Sequence, residues 1–188
     1  MEIFWNTIAR YNAATWPWQI AIVAAAAVLT VLLYLRPTQN VKRAMKLFLA
    51  GLNAWIAVVY YLVWCGQRSH SDVLALFWGI MAVIWLYDLY ADFTRFERTS
   101  RPNGFALLLY LMPLAYPLFS LARGLSFPMM TMPVMPCSVA VFTIGLMLAF
   151  THRINIFLVL SLCHWALIGL SKVYFFGIPE DYLLACSI

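Results

Sequence analysis

Long apolar runs, separated by short polar or proline-containing turns, dominate the chain. They cover residues 18–35, 44–65, 73–91, 104–121, 137–150 and 154–176. Each run is continuous, and most of them approach the length of about 20 residues that a membrane-spanning helix needs. The pattern predicts an all-α polytopic membrane protein in which residues 1–188 form one domain with six transmembrane helices.

Both ends of the chain predict short helices at the membrane interface. Within residues 1–17, apolar and aromatic positions recur every three or four residues, which is typical of an amphipathic helix lying on a bilayer: Phe4, Trp5, Ile8, Tyr11 and Thr15. Pro17 suits the first turn of the following span. Pro179, Glu180 and Asp181 predict the start of a second short helix over residues 179–188. No small-residue cleavage motif follows the first apolar run, so we expect this segment to be retained.

Composition supports the membrane assignment and limits the function. Hydrophobic residues make up 65% of the chain and charged residues 10%, with a mean hydropathy of +0.86. Soluble domains average about 25% charged residues, so this chain cannot cover a water-exposed surface. Six spans leave no room for a soluble catalytic or nucleic-acid-binding domain, and we therefore expect the lipid bilayer, and no nucleic acid, as a partner.

The cations predict the orientation. If the first, third and fifth connections face the cytoplasm, that side holds eight of them: Arg36, Lys42, Arg43, Lys46, Arg95, Arg98, Arg101 and Arg153. The opposite side holds Arg10, Arg68, Arg123 and Lys172. Because cytoplasmic loops carry an excess of Lys and Arg, both termini are predicted to lie outside the cytoplasm.

Polar residues inside apolar spans are costly in lipid and are candidate functional sites. Helical spacing puts Ser161, His164 and Ser171 on one face of the sixth span, and we expect that face to contact protein or water. The alternative is that His164 donates to a backbone carbonyl and that Lys172 extends to the interface.

Other candidates lie in the second, third and fourth spans. Asn53 lies inside the second, and Asp88 with Asp92 ends the third, where both could pair with Arg95. Interior prolines free backbone carbonyls, so Pro113 and Pro117 predict a bent and interrupted fourth helix of the kind that lines substrate cavities in transporters. A substrate path would then include Asn53, Tyr116, Pro117, His164 with its neighbouring serines, and an outer vestibule at Glu180 and Asp181.

The loop before the fifth span is rich in sulfur donors, a soft ligand set suited to Cu(I): Met129, Met130, Met132, Met135 and Cys137. Packing is the alternative, because methionine is also a flexible apolar filler. Cys137 opens the fifth helix, where backbone N–H groups favour a thiolate. A disulfide among Cys65, Cys137 and Cys186 would suit an oxidising compartment, but the sequence does not select a pairing.

Four segments taken in order resemble an uncharacterised family of small bacterial integral-membrane proteins: ARYNAATWPWQ, AYP, PCSVAVFTIG and IPED. The resemblance implies a bacterial inner-membrane location and supplies no activity. Phosphate-binding loops, GxSxG, HExxH and CxxC are all absent from the sequence, so we do not expect an enzyme of those types.

Three functions remain open, with no cofactor specified. The first is permeation of a small solute or ion, for which the small size of the chain favours a homo-oligomer. The second is thiol-redox or soft-metal handling through the methionine loop. The third is an accessory membrane subunit without chemistry of its own.

Overall fold

A computed structural model describes residues 2–66, 68, 70–97, 104–176 and 184, with backbone alone for Glu2, His152 and residues 170–176. The fold is all-α, as predicted, and its described part contains six helices. They are α1 (Glu2–Leu35), α2 (Gln39–Trp55, continued by a π-helical segment over Ile56–Trp64), α3 (Ser71–Ala91), α4 (Gly104–Ala122), α5 (Pro136–Phe150) and α6 (Ile156–Phe176). The predicted helix over 179–188 lies outside the described residues, apart from Leu184.

Four helices are long and apolar enough to cross a membrane: α1, α2 with its π-helical segment, α3 and α4. Two more apolar stretches, Pro136–Phe150 and Ile156–Gly169, are shorter. Many large apolar side chains on the outside of the bundle are exposed, among them Leu76, Val83 and Leu118. A surface of this kind is suited to lipid and not to water.

The prediction of a separate interfacial helix over residues 1–17 is wrong, because α1 runs without interruption from Glu2 to Leu35 through Pro17. The periodic face of the N-terminal half is buried against protein, with Phe4, Ile8, Tyr11 and Thr15 all shielded. Polar bonds on the same face bracket Pro17: Thr15 Oγ1 donates to the Tyr11 carbonyl (2.6 Å), and Gln19 Nε2 donates to Thr15 Oγ1 (3.0 Å). The helix therefore continues although proline removes one backbone donor.

The π-helical segment changes which residues of α2 face inward. Its hydrogen bonds span five residues, and the last of them joins the Cys65 N–H to the Tyr60 carbonyl (3.0 Å). Each turn therefore holds more residues than in an α-helix. The consecutive residues Tyr60 and Tyr61 are both buried as a result.

A small antiparallel ribbon departs from the purely helical prediction. β1 (Arg95–Phe96) follows α3 and pairs with β2 (Thr151–Arg153), which follows α5. The Thr94 hydroxyl accepts a hydrogen bond from the Asn155 N–H (3.2 Å), which extends the connection beyond the ribbon. The ribbon thus ties together two interhelical segments at the end of the bundle opposite the N-terminus.

The helical conformation of α4 continues through Pro113 and Pro117, although each proline removes one backbone donor, and the predicted bend at these residues stays a prediction. The residues between α4 and α5, 123–135, form a loop that folds back on the end of α4 and supplies polar partners there. Thr131 Oγ1 donates to the Tyr116 carbonyl (3.2 Å), and the Thr131 N–H donates to Ser120 Oγ (3.0 Å).

Candidate solute-binding cavity

A small cavity lies at one end of the bundle. It is surrounded by five parts of the chain: the N-terminal half of α1, the π-helical segment, the start of α3, the 123–135 loop and the start of α5. Its volume is about 60 Å³. A buried water needs about 10–15 Å³ by the same kind of measure, so several waters or one small solute fit. Part of its wall is apolar, with Phe4, Ile8 and Leu74, and the rest carries polar groups.

Two tyrosines of the π-helical segment form one side of the cavity. Tyr60 and Tyr61 are 4% and 3% exposed, both line the cavity, and neither hydroxyl is hydrogen bonded to any residue that the structure describes. Their rings pack edge to face, with centroids 5.0 Å apart, and Tyr11 packs on Tyr60 in the same way. The stack fixes the rings, so the two hydroxyls are held at the cavity as donors without protein acceptors.

Arg68 adds a positive charge to the same cavity. Its guanidinium lies over the Phe4 ring, 4.7 Å from the centroid, and its Nη1 is 3.7 Å from Cys65 Sγ. Among the described residues no carboxylate forms an ion pair with Arg68. Burial opposes the charge, but the neighbouring Tyr60 and Cys65 favour it, and the pKa of Arg68 is raised as a result.

Polar residues of α1 hold the loop that closes the cavity. Asn12 Nδ2 donates to the carbonyls of Pro128 and Met130, both at 2.8 Å, and Tyr11 Oη donates to the Val134 carbonyl at 2.7 Å. Asn12 is completely buried. These bonds fix the 123–135 loop against α1 and set the position of Pro136, where α5 begins.

A second polar cluster lies at the opposite end of the bundle. Lys46 Nζ is 3.0 Å from Asp88 Oδ2 and 2.7 Å from Asp92 Oδ1, and the Lys46 and Asp88 side chains are almost fully buried. The hydrogen bond from Lys46 lowers the pKa of Asp92, and Arg95 also favours the charged form of that carboxyl. Asp88 accepts from the Thr94 N–H as well (2.9 Å). The predicted pairing of the aspartates with Arg95 is thus present for Asp92, while Asp88 pairs with Lys46.

Buried polar atoms also lie between these two ends. Lys46, Asn53 and Tyr60 recur every seven residues on α2, and all three are buried. Asn53 Nδ2 donates to the Leu49 carbonyl, but Asn53 Oδ1 has no partner among the described residues. The indole N–H groups of Trp78 and Trp85 likewise have no partner within the described part. Unpaired buried polar groups are rare enough in proteins that each of them needs an explanation.

The predicted polar face of α6 is not part of the cavity. His164 is exposed and lies beside the Phe77 ring (5.7 Å between centroids), so the prediction that it faces the interior is wrong. The side of α6 that faces inward is apolar and carries Leu158, Leu162 and Trp165. Ser161 Oγ donates to the Phe157 carbonyl, 2.8 Å away.

Of the remaining residues of the predicted path, only some lie at the cavity. Tyr116 is buried and lines the cavity, and Pro117 is half-buried on α4. Asn53 lies in the interior, as described above. The Ser171 side chain and the residues Glu180 and Asp181 lie outside the described part of the structure.

The methionine loop does not gather its sulfur atoms in one environment. Met129 is 43% exposed, whereas Met130 and Met135 are buried, and Met135 Sδ accepts from the Met132 N–H (3.4 Å). Cys137 is half-buried at the cavity, in the first turn of α5 as predicted. Cys65, Cys137 and Cys163 are not joined by disulfides, and no group of three His, Cys, Asp or Glu that could hold a metal occurs among the described residues.

The model of a family of unknown function, DUF6064, matches residues 1–188. The chain belongs to this family. No curated protein and no solved structure matches the chain. The segments that carry the family resemblance include Tyr11 and Asn12, which bind the loop, and Pro136 and Cys137, which line the cavity.

The sequence analysis missed the residues that define the cavity. Arg68 was counted only as a loop cation, and Tyr60 and Tyr61 were part of an apolar run. A usable signal was the spacing of seven that relates Lys46, Asn53 and Tyr60, which places three polar groups on one helix face. Nothing in the sequence indicates that the π-helical segment turns Tyr61 toward the same cavity.

Proposed function

We propose that this protein binds a small polar solute in the Tyr60–Tyr61 cavity and carries it across the bacterial inner membrane. The observation that carries the proposal is the pair of tyrosines, 4% and 3% exposed, that line a cavity and whose hydroxyls form no hydrogen bond with a described residue. A tyrosine hydroxyl can both donate and accept a hydrogen bond, so two hydroxyls without a partner among the described residues at one cavity are suited to bind a polar ligand.

The polar groups of α2 supply the route in this proposal. Lys46 and Tyr60 are fourteen residues apart, which corresponds to about 21 Å along a helix and so to most of an apolar bilayer core. Asn53 lies halfway between them with an unpaired carbonyl oxygen. A passing solute or water could pair with this oxygen.

The membrane topology belongs to the same proposal. Six spans with both termini outside the cytoplasm put the cavity on the extracytoplasmic side and the Lys46 cluster on the cytoplasmic side. The cation count supports this orientation. A reporter fused to the C-terminus that is active only in the cytoplasm should stay silent, and activity of that reporter would reverse the orientation.

Flux through purified protein tests the function. In proteoliposomes, we expect swelling driven by formamide, acetamide, formate or acetate to exceed that of protein-free liposomes. Asn53→Leu should reduce the flux about tenfold, since a lost hydrogen bond of about 1.4 kcal/mol corresponds to that factor. Asn6→Leu is the matched control, because Asn6 is exposed on α1.

Two results would contradict the proposal. Flux equal to that of protein-free liposomes for every solute would leave the accessory role as the better description. Equal loss of flux in Asn53→Leu and Asn6→Leu would show that the interior route is not used.

A further inference from the structure

We infer that the solute is a small anion, held by the guanidinium of Arg68 and the hydroxyls of Tyr60 and Tyr61. This inference rests on the proposed function, because it assigns the ligand of the same cavity. The shared chemistry is that of a carboxylate or phosphate group, whether it belongs to a free ion or to a lipid headgroup.

The charge of the cavity points to an anion. Arg68 is the one cation among the described residues that line it, and no described carboxylate pairs with it. A guanidinium presents five N–H donors and no acceptor, and only one hydrogen bond from its side chain, to Cys65 Sγ, is made to a described residue. The other donors are therefore available to acceptor oxygens.

The hydrogen-bonding groups of the cavity, like its charge, are suited to an anion. A tyrosine hydroxyl can donate to an anion, and Tyr60 and Tyr61 bring two such donors to the side of the cavity that the π-helical segment forms. By contrast, Thr131 and Ser138 already have partners: Ser138 Oγ donates to the Met132 carbonyl (3.1 Å), and Thr131 bonds to Ser120. The Tyr60 and Tyr61 hydroxyls can thus donate to an anion beside the Arg68 guanidinium, which carries donors only.

The dimensions restrict the ligand to a small one. A volume of about 60 Å³ accepts an ion with few heavy atoms, such as formate, acetate or phosphate. Apolar walls from Phe4, Ile8 and Leu74 lower the local dielectric, which strengthens the attraction between Arg68 and an anion. Planar carboxylates also fit the fork of a guanidinium in a bidentate way.

Thermal unfolding of the detergent-purified full chain, titrated with matched pairs of solutes, tests the inference. Formate is compared with formamide and acetate with acetamide, because each pair differs mainly in charge, and sodium gluconate keeps the ionic strength constant. A ligand that binds only the folded state raises the melting temperature with its concentration. We expect a rise with formate, acetate or phosphate and none with the two amides.

Variants locate the effect. Arg68→Gln should weaken anion binding by at least about tenfold, as expected for a charge-assisted hydrogen bond, and Arg68→Lys should retain part of it. Arg10→Gln is the matched control, since Arg10 lies at the same end of the bundle but is exposed, 5.9 Å from the Trp64 ring centroid. If Arg68→Gln does not fold, the double variant Tyr60→Phe/Tyr61→Phe serves instead and should also weaken binding.

The outcomes separate the two proposals. Equal shifts from an anion and its amide, or an equal loss in Arg10→Gln, would overturn the anion site even if flux is observed. Anion-specific binding without flux would support the site and reject permeation.

A second comparison distinguishes a free anion from a lipid headgroup, using nanodiscs of phosphatidylcholine and nanodiscs that contain phosphatidylglycerol. Stabilisation by phosphatidylglycerol, with no response to free anions, would overturn a free solute in favour of a headgroup.

Discussion

Lys46 Nζ lies 3.0 Å from Asp88 Oδ2, and the two side chains are 3% and 0% exposed. Lys46 also donates to the Asp88 carbonyl (3.1 Å) and to Asp92 Oδ1 (2.7 Å). The pair therefore joins α2 to the last turn of α3, and the Lys46 ammonium group has three oxygen atoms as partners. A buried ion pair of this kind is costly to break from one side, because the remaining charge stays buried without a partner.

Asp88→Asn or Lys46→Met should accordingly lower the free energy of unfolding by about 3–5 kcal/mol. The double variant Lys46→Met/Asp88→Leu should recover much of this loss, because it leaves no buried charge. Chemical denaturation in detergent micelles measures all three, with Arg43→Met as an exposed control on α2. A double variant as unstable as the sum of the single ones would contradict this account.

Acid should weaken the same cluster through Asp92. The hydrogen bond from Lys46 holds the pKa of Asp92 below its ordinary value of 3.8, so the unfolded state takes up the proton first. The contribution of Asp92 to stability is then complete only well above pH 3.8 and is lost as the pH falls through 3.8 toward the lower pKa of the folded state. Melting temperatures between pH 6 and pH 3 test this.

Comparison with Asp92→Asn isolates this carboxyl from the other acids. The difference in melting temperature between wild type and Asp92→Asn should shrink below about pH 4. A difference that stays constant over the whole range would show that Asp92 does not titrate with folding.

The sequence predicted the helical elements well, because continuous apolar runs of this length are typical of spanning helices, whereas barrel strands are shorter and alternate apolar with polar residues. The spacing of Phe4, Ile8, Tyr11 and Thr15 also identified the correct buried face of α1. The prediction that a membrane surface covers this face was wrong, because periodicity shows which side of a helix is buried and not what buries it. A membrane surface and the 123–135 loop produce the same pattern.

The candidate site was harder to predict, because its geometry depends on contacts between distant segments. His164 was placed inside on the cost of burying polar groups in lipid, but its imidazole lies beside Phe77 on the outer surface instead. Lys46 was counted with the loop cations, although a partner 42 residues further along the chain compensates its charge. Pairings of this length leave no local signal in a single sequence.

Gly145 should be essential to the contact between α4 and α5. A Cβ at this position would overlap the Tyr110 backbone nitrogen and would lie 2.9 Å from the Tyr110 Cα. Gly145→Ala must therefore push two backbones apart, and we expect a loss of about 1–3 kcal/mol or more in the free energy of unfolding.

Gly51→Ala is the control for Gly145→Ala. No atom lies within 4 Å of the position of its added Cβ, and alanine favours a helix over glycine by about 1 kcal/mol. This variant should be neutral or slightly more stable. Similar losses in both variants would mean that helix propensity, and not close packing, decides the result.

Asn12 should control access to Cys137. Asn12→Leu removes both donors to the loop carbonyls, so the 123–135 loop should open and the cavity thiol should react faster with a membrane-impermeant maleimide. Peptide mapping by mass spectrometry follows each cysteine, with Asn6→Leu as the exposed control.

In the wild type, we expect Cys137 to react before Cys163 and Cys65 to react last, since Cys65 is fully buried. Unchanged labelling of Cys137 in Asn12→Leu would show that the two bonds do not hold the loop closed. Equal protection of Cys137 and Cys163 would argue against any thiol chemistry at the cavity.

The shortness of α5 has a consequence for how the bundle responds to bilayer thickness. Its 15 residues span about 22 Å, less than an apolar core of about 30 Å, yet 12 of them are buried by other parts of the chain. A helix that lipid hardly touches incurs little hydrophobic mismatch, whatever its length. Helices long enough to cross a bilayer would have to match its thickness, whereas α5 can begin at the depth where Pro136 and Cys137 meet the cavity.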